Sequence, residues 1–259
     1  MLPLILFALW IPHRGEPLPT APDRAQSAAI NDYWTEVLAY PLEPEAALSG
    51  HWGDLTAFWH FQHGQGLRPD LWAIFPPNTS HFEAWLSESG RPLYLAGPLL
   101  DWNPEAFQQY ELTPWGNLVR VAPRGTSAPL LPLQPRTARF GGQLELVGYQ
   151  YVPLGPQRRQ LWLAWRTISP TSRDLAVSLR LHVPDGTLLY QEDGRLASLW
   201  YPDSTLLAEQ SLSTAFDFTT PRLLPAGTTI ARIVVYDPAT ILPLLNDEGM
   251  DVVELGIVE

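Results

Sequence analysis

Ile30, Trp34, Val37 and Leu38 recur at the three- and four-residue spacing of a helix with one buried face, so RAQSAAINDYWTEVLAY is expected to be an amphipathic helix, with Asp23 placed to cap its start. A short run at 46–50, AALSG, reads as a strand. Gly53-Asp54 then opens a helical pattern in which Leu55, Phe58, Trp59 and Gln62 share one side, with Asp54 as its cap. LWAIF at 71–75 reads as a buried strand, SHFEAWLSESG as a helix closed by Gly90, and PLYLAG at 92–97 and NLVRVAP at 117–123 as further strands. Strands alternating with short helices imply right-handed crossovers and a mostly parallel sheet.

The pattern changes beyond that point. PRGTSAPLLPLQPRTAR is rich in proline and has no periodicity, which marks 124–139 as a linker. From 140 onward, QLELVGYQYV, QLWLAWRTI, DLAVSLRLHV, TLLYQE, TAFDFTT, TIARIVVYD and VVELGIV alternate apolar and polar residues, and Pro184-Asp185-Gly186 supplies a hairpin-type turn. The expected fold class is therefore α/β plus all-β. An apolar segment and connector occupy 1–20, a small three-layer α/β domain with a mostly parallel sheet occupies 21–123, and an antiparallel β-sandwich occupies 140–259.

Composition removes several functions from this frame. The net charge is −11, every one of the sixteen basic residues is arginine, and no basic stripe is present to lie along a phosphate backbone, so nucleic acid is not an expected partner. There is no cysteine, which excludes thiol chemistry, a disulfide framework and thiolate metal sites. The start, MLPLILFALWIP, is apolar but shorter than the roughly 20 residues that span a bilayer, and reads either as a membrane-helix remnant or as a hydrophobic strand or signal.

Chemistry-bearing residues concentrate in HWGDLTAFWHFQHGQGLRPDLWAI, at 51–74. A metal reading recruits His51, Asp54, His60 and His63, since imidazoles three apart on a helix can meet one ion with a carboxylate completing the shell. Against it, His60, His63 and Thr56 fall on the flank away from Leu55 and Phe58, where a solvated face is expected. A second reading uses position. GHWGD ends a strand and leads into a helix, and in open α/β sheets ligands bind outside the carboxyl ends of strands, so His51, Trp52 and Asp54 line either a binding crevice or a tight turn. No G-x-S-x-G elbow accompanies the serines and histidines, and the adjacent acids Glu192 and Asp193 lie on a hairpin. Trp162 and Trp165, three apart on one strand, point to opposite faces, with at least one expected in the core; Trp200-Tyr201, in the loop-like SLWYPDS, is the better pair for stacking on a sugar, or else anchors its loop. Asn78-Thr79-Ser80 is expected to cap the helix that follows, and Arg158-Arg159 to be solvated.

PDRAQSAAINDYWTEVLAY, followed by ALSGHWGDLTAFWHFQHGQGLRPDLWAIFP and GRPLYLAGP, resembles the extracytoplasmic segment after the last membrane helix in bacterial multipass proteins related to protein O-mannosyltransferases, the GT-C class of glycosyltransferases. The matching positions are Gly53-Asp54, Trp59 to Gln62, and Arg68-Pro69-Asp70, which brings Arg68 and Asp70 into the candidate ligand-binding set. The rear half resembles the β-sandwich that often ends such proteins, through Gly148-Tyr149, Gln191 and Asp193, Leu224 to Gly227, and Tyr236-Asp237. In that class the catalytic aspartate lies on a loop between membrane helices, so the resemblance implies a non-catalytic accessory region in glycan or surface-polymer handling. It places that region on the extracytoplasmic face of the membrane, held there through the N-terminal apolar segment, with a glycan or lipid-linked sugar as partner and no cofactor. A freestanding carbohydrate-binding or adhesion module, secreted or surface-held, is the alternative, and a hydrolase the third.

Overall fold

The computed structural model describes residues 21–97, 107–126, 128, 131–155, 157–198, 201, 203, 206–219 and 229–258. The apolar start, Trp200 and the Leu-Pro stretch at 224–227 lie outside the described residues. Helix α1, Ala21–Val37, buries Trp34 and Val37 completely, so its core face is the one the spacing predicts. Asp23 lies inside this helix rather than at its cap.

Strand β1 (Ala47–Ser49) leads into α2 (Trp52–Trp59), which continues through a π-helical turn at His60–Gly64. Strand β2 (Trp72–Ile74), helix α3 (Thr79–Ser89) and strand β3 (Leu93–Leu95) follow. The Asn78 side chain accepts the His81 N–H at the start of α3, and Gly90 closes the helix in the left-handed conformation. β2 and β3 flank β1, and both run parallel to it. β2 is the edge strand, with Trp72 exposed and its neighbours half-buried, where the apolar run LWAIF had suggested a buried one.

The expected mostly parallel α/β domain does not form. Strands β4 (Tyr110–Trp115) and β5 (Leu118–Pro123) make an antiparallel hairpin, and β5 pairs antiparallel with β3, so only β2-β1-β3 is parallel in the front half. The hairpin turns at Gly116, whose φ is +57°; a Cβ there would lie 2.7 Å from the Tyr40 ring. A side chain would therefore meet both backbone strain and a clash. β4 was invisible in the sequence because YELTPW carries a proline and no clean alternation.

The rear half contributes β6 (Gln134–Phe140), β7 (Leu144–Pro153), β8 (Arg158–Thr167), β9 (Ala176–His182), β10 (Leu188–Arg195), β11 (Ser211–Thr219), β12 (Ile230–Asp237), β13 (Leu242–Pro243) and β14 (Val253–Ile257). The stretch read as a linker thus ends in an edge strand, β6, whose side chains are mostly exposed and gave no periodic signal. The molecule is mostly β, with two sheets. One has nine strands in the order β2-β1-β3-β5-β4-β11-β8-β7-β6; the other is β10-β9-β12, with β13 and β14 both on β12. The nine-stranded sheet crosses from front to rear at a single parallel pair, Trp115 with Ser213, where the Gly116 N–H donates to the Ser213 carbonyl at 2.9 Å.

Three apolar clusters hold this arrangement. Between the two sheets lie Leu146, Leu163, Trp165, Leu179, Phe216 and Ile233. On the other face of the long sheet, Trp34, Tyr40 and Phe58 pack against Trp115 and against Trp162 of the rear half. α3 brings Phe82 and Leu86 onto Leu93 and Val121. Trp162 and Trp165 do face opposite sides of β8, and both are buried because helices cover the side that a plain sandwich leaves to solvent.

Candidate functional site at the carboxyl edge of the parallel strands

β2, β1 and β3 run the same way, so their carboxyl ends share one edge. Leu55 and Phe58 of α2 pack in one core and Phe82 and Leu86 of α3 in another, so the two crossovers lie on opposite faces and the chain diverges between β1 and β3. Such a divergence opens a crevice. Its walls approach closely: a Cβ on Gly50 would be 3.5 Å from the Ala96 Cβ, and one on Gly97 would be 3.5 Å from the His51 Cδ2. The imidazole of His51 therefore lies over Gly97.

His51, not Asp54, is the N-cap residue of α2, and its side chain makes no capping bond. Asp54 stands in the first turn and reaches back to the His51 backbone N–H. Partial burial pushes the Asp54 carboxyl above its ordinary pKa, with His51 and the backbone bond pulling the other way. Beside this polar pair stands an aromatic cluster. Trp52, 57% exposed, meets Trp59 edge-on with ring centroids 5.4 Å apart and Phe75, 42% exposed, at 5.2 Å. Phe75 directly follows β2, so this edge carries two large exposed aromatics next to an imidazole and a carboxylate. Sequence reasoning missed Phe75, although the end of LWAIF at the edge of a parallel strand was a signal for it.

The other expected ligands lie elsewhere. Arg68 and Asp70 precede β2, at the amino end of the strands. Arg68 grips Asp70 through Nε at 3.0 Å and an Nη at 2.8 Å, and reaches the Leu42 carbonyl at 3.2 Å. Gln62 Nε2 donates to the carbonyls of Arg68 at 3.1 Å and Leu71 at 2.7 Å. This clasp fixes the α2 to β2 connection, and the guanidinium holds the Asp70 carboxyl below the usual range. His60 and His63 are exposed on the π-helical turn, about 13 Å and about 18 Å along the helix axis from His51. Among the described residues, no three His, Asp or Glu side chains come close enough to hold a metal ion, so His51, Asp54, His60 and His63 do not converge. Tyr201 is half-buried against the inter-sheet and α3 cores, and its hydroxyl accepts from Gln210 Nε2 at 3.3 Å.

One titratable group unforeseen in the sequence is Glu36 on α1. It accepts from the Tyr40 hydroxyl and from Asn117 Nδ2 at 2.8 Å, which ties α1 to the β4–β5 turn. Burial pushes its pKa up to about 7, the Tyr40 bond and Arg158 lower it, and the charges of Asp217 and Glu192 add to the rise. Asp217 is itself held by Arg158 through bonds of 2.8 and 2.6 Å. Both Glu36 and Asp217 are engaged in fixing elements together. Glu192 and Asp193 alternate along β10, Glu192 accepting from the Tyr190 hydroxyl at 2.6 Å and Asp193 from Gln191 Nε2 at 3.2 Å.

No protein-family model and no curated protein matches the chain. Among solved structures, the C-terminal domain of wzt overlaps 49% of this chain and 81% of its own, at 12% identity and a TM-score of 0.35. A β-glucuronidase of Bacteroides uniformis overlaps 40% of this chain and 12% of its own, at 15% identity and a TM-score of 0.27. A domain of the outer membrane lipoprotein Omp28 of Porphyromonas gingivalis overlaps 51% and 93%, at 13% identity and a TM-score of 0.28. Likeness at these scores decides nothing about function. Among the described residues no helix is long and apolar enough to cross a membrane.

Proposed function

We propose that this chain is a glycan-binding accessory module whose sugar site is the carboxyl edge of β1, β2 and β3. One observation carries this reading: Trp52 and Phe75, 57% and 42% exposed, meet each other at the carboxyl edge of the parallel strands, where His51 and Asp54 also stand. An exposed aromatic pair is costly to leave in water and gains by covering the C–H face of a sugar ring, while an imidazole and a carboxylate pair with ring hydroxyls. Trp59 stiffens the platform from behind.

The cellular setting rests on the sequence resemblance to the extracytoplasmic part of GT-C-type membrane proteins. In that setting the module holds a glycan or lipid-linked sugar next to a membrane-embedded transferase, tethered through the apolar stretch at 1–20. Exposed aromatics on a rigid edge serve a freestanding carbohydrate-binding module equally well, and the β-rich architecture favours that form. A hydrolase is the weakest reading, because the acids singled out for it, Glu192 and Asp193, are neighbours on one strand rather than partners across a cleft.

A glycan array probed with the full chain tests the proposal. Binding to a subset of glycans that disappears in Trp52→Ala is the expected result. A blank array, or a signal that Trp52→Ala leaves unchanged, contradicts it.

A further inference from the structure

The long sheet is stitched at its centre by very little. β4 and β11 share one backbone pair, and three residues away the side chain of Gln210 substitutes for a strand partner by donating Nε2 to the Leu112 carbonyl at 2.9 Å. Along this seam opens a cleft of about 450 Å³. Thr113, Trp115, Ser211 and Ser213 supply its floor. Leu131 and Leu133, from the segment that returns across the sheet after β5, form an apolar wall.

The Thr113 and Ser213 hydroxyls contrast with those of other buried threonines. Buried threonines elsewhere are satisfied: Thr167 bonds the Gln210 carbonyl at 3.2 Å, and Thr171 and Thr214 bond the carbonyls of Asp203 and Leu196. Thr113 and Ser213 are only 3% and 5% exposed, line the cleft, and make no side-chain hydrogen bond to any described residue. The Trp115 indole N–H, in the same floor, is also buried without a partner. Polar groups withdrawn from water are nearly always paired, so the orphaned Trp115 N–H, in a cleft also lined by the hydroxyls of Thr113 and Ser213, marks a place that can receive a partner.

The lining fixes the chemistry of that partner. Among the described residues it contains no arginine and no histidine, and its one charged side chain, the exposed Glu111, is an acid, so phosphates and carboxylates are repelled rather than held. A purely apolar guest would leave the hydroxyls unpaired at a cost. A molecule with hydroxyls on its rim and C–H groups on its faces meets both demands, and the volume falls within the range of about 300–1,000 Å³ usual for small-molecule sites. We infer that the β4–β11 seam is a second binding site, specific for a neutral saccharide of one or two rings, which pairs with Thr113 and Ser213 and lies against Trp115. This inference stands apart from the Trp52 platform, which lies on a different edge.

The test is indole N–H NMR on the ¹⁵N-labelled full chain, with the Trp115 signal assigned through Trp115→Phe and titrated with glucose, galactose, mannose, maltose and cellobiose, and with glucuronate as the charged control. At least one neutral sugar shifts the Trp115 signal to saturation, and glucuronate does not. Thr113→Val and Ser213→Ala, near-isosteric changes, each weaken that titration by roughly fivefold or more, as loss of a hydrogen bond in a dry site requires, while Trp52→Ala leaves it intact. Matching thermal melts show that the variants are folded, and Ser213→Ala alone suffices if Thr113→Val is not. No movement of the Trp115 signal with any neutral sugar overturns the inference, as does a titration indifferent to Ser213→Ala or one in which glucuronate binds as well. Movement of the Trp52 signal alone supports the carboxyl-edge site and overturns this one.

Discussion

Glu36 sets how the fold answers to pH. Its carboxyl titrates near 7 in the folded chain and near 4.5 when unfolded, so between these values the native state holds a proton that the unfolded state has released. The contribution of Glu36 is therefore full below about pH 4.5 and is lost as pH rises through about 7, by roughly 2 kcal/mol once the group's partial contact with water is allowed for. Asp203 acts in the same direction. Its carboxyl, which accepts the N–H groups of Leu175 at 2.6 Å and Ala197 at 3.1 Å, is pushed up to about 6 by burial. Glu36→Gln keeps an acceptor for Tyr40 and Asn117 while removing the charge. Urea midpoints at about pH 5 and about pH 8 are expected to show the variant level with the wild type at the lower pH and more stable at the higher. Equal pH dependence in the two proteins would rule out this role for Glu36.

At the scale of elements, what could be read in the sequence followed from how sharply a segment's burial contrasts with its surroundings. α1 shows Trp34 and Val37 on one face, and α3 shows Asn78 and Gly90 at its ends, so both were legible. β9 to β10 was legible through its Pro-Asp-Gly turn, where Gly186 takes a φ of +89°. β4 and β6 were not, the first because Pro114 interrupts it and the second because both its faces are largely exposed. The site followed the same logic. His51, Trp52 and Asp54 were singled out by their place after a strand and do lie at the carboxyl edge, whereas Arg68 and Asp70 came from resemblance and form a clasp at the opposite end. The β4–β5 hairpin also yields a direct test. Gly116→Ala forces a Cβ to 2.7 Å from the Tyr40 ring at a φ of +57°, and is expected to cost roughly 2–4 kcal/mol in denaturant unfolding. A loss within about 0.5 kcal/mol would show that the turn is less tightly packed on α1 than described.

At the scale of the whole molecule, the parallel strands that build the proposed binding edge belong to the same sheet as the rear strands. Alternation and turn chemistry report on neighbours in sequence, so nothing local could announce that β4 would meet β11 or that Trp162 would complete the core beneath α1. Trp162→Ala empties a fully buried site shared by front and rear, with an expected cost of about 3–5 kcal/mol. Fluorescence and far-ultraviolet dichroism are expected to report one coincident, lowered transition, whereas two separated transitions, with only one displaced, would show the halves to be energetically independent. The proposed function depends on this stiffness, because an exposed aromatic platform binds well only when its rings are held in place before a ligand arrives. The most direct test is calorimetric titration of an array-positive oligosaccharide into the full chain, Trp52→Ala and Phe75→Ala. The account predicts saturable binding to the wild type and a loss of roughly tenfold or more in each variant, the size expected for an aromatic–sugar contact. Affinity unchanged in both variants would contradict it.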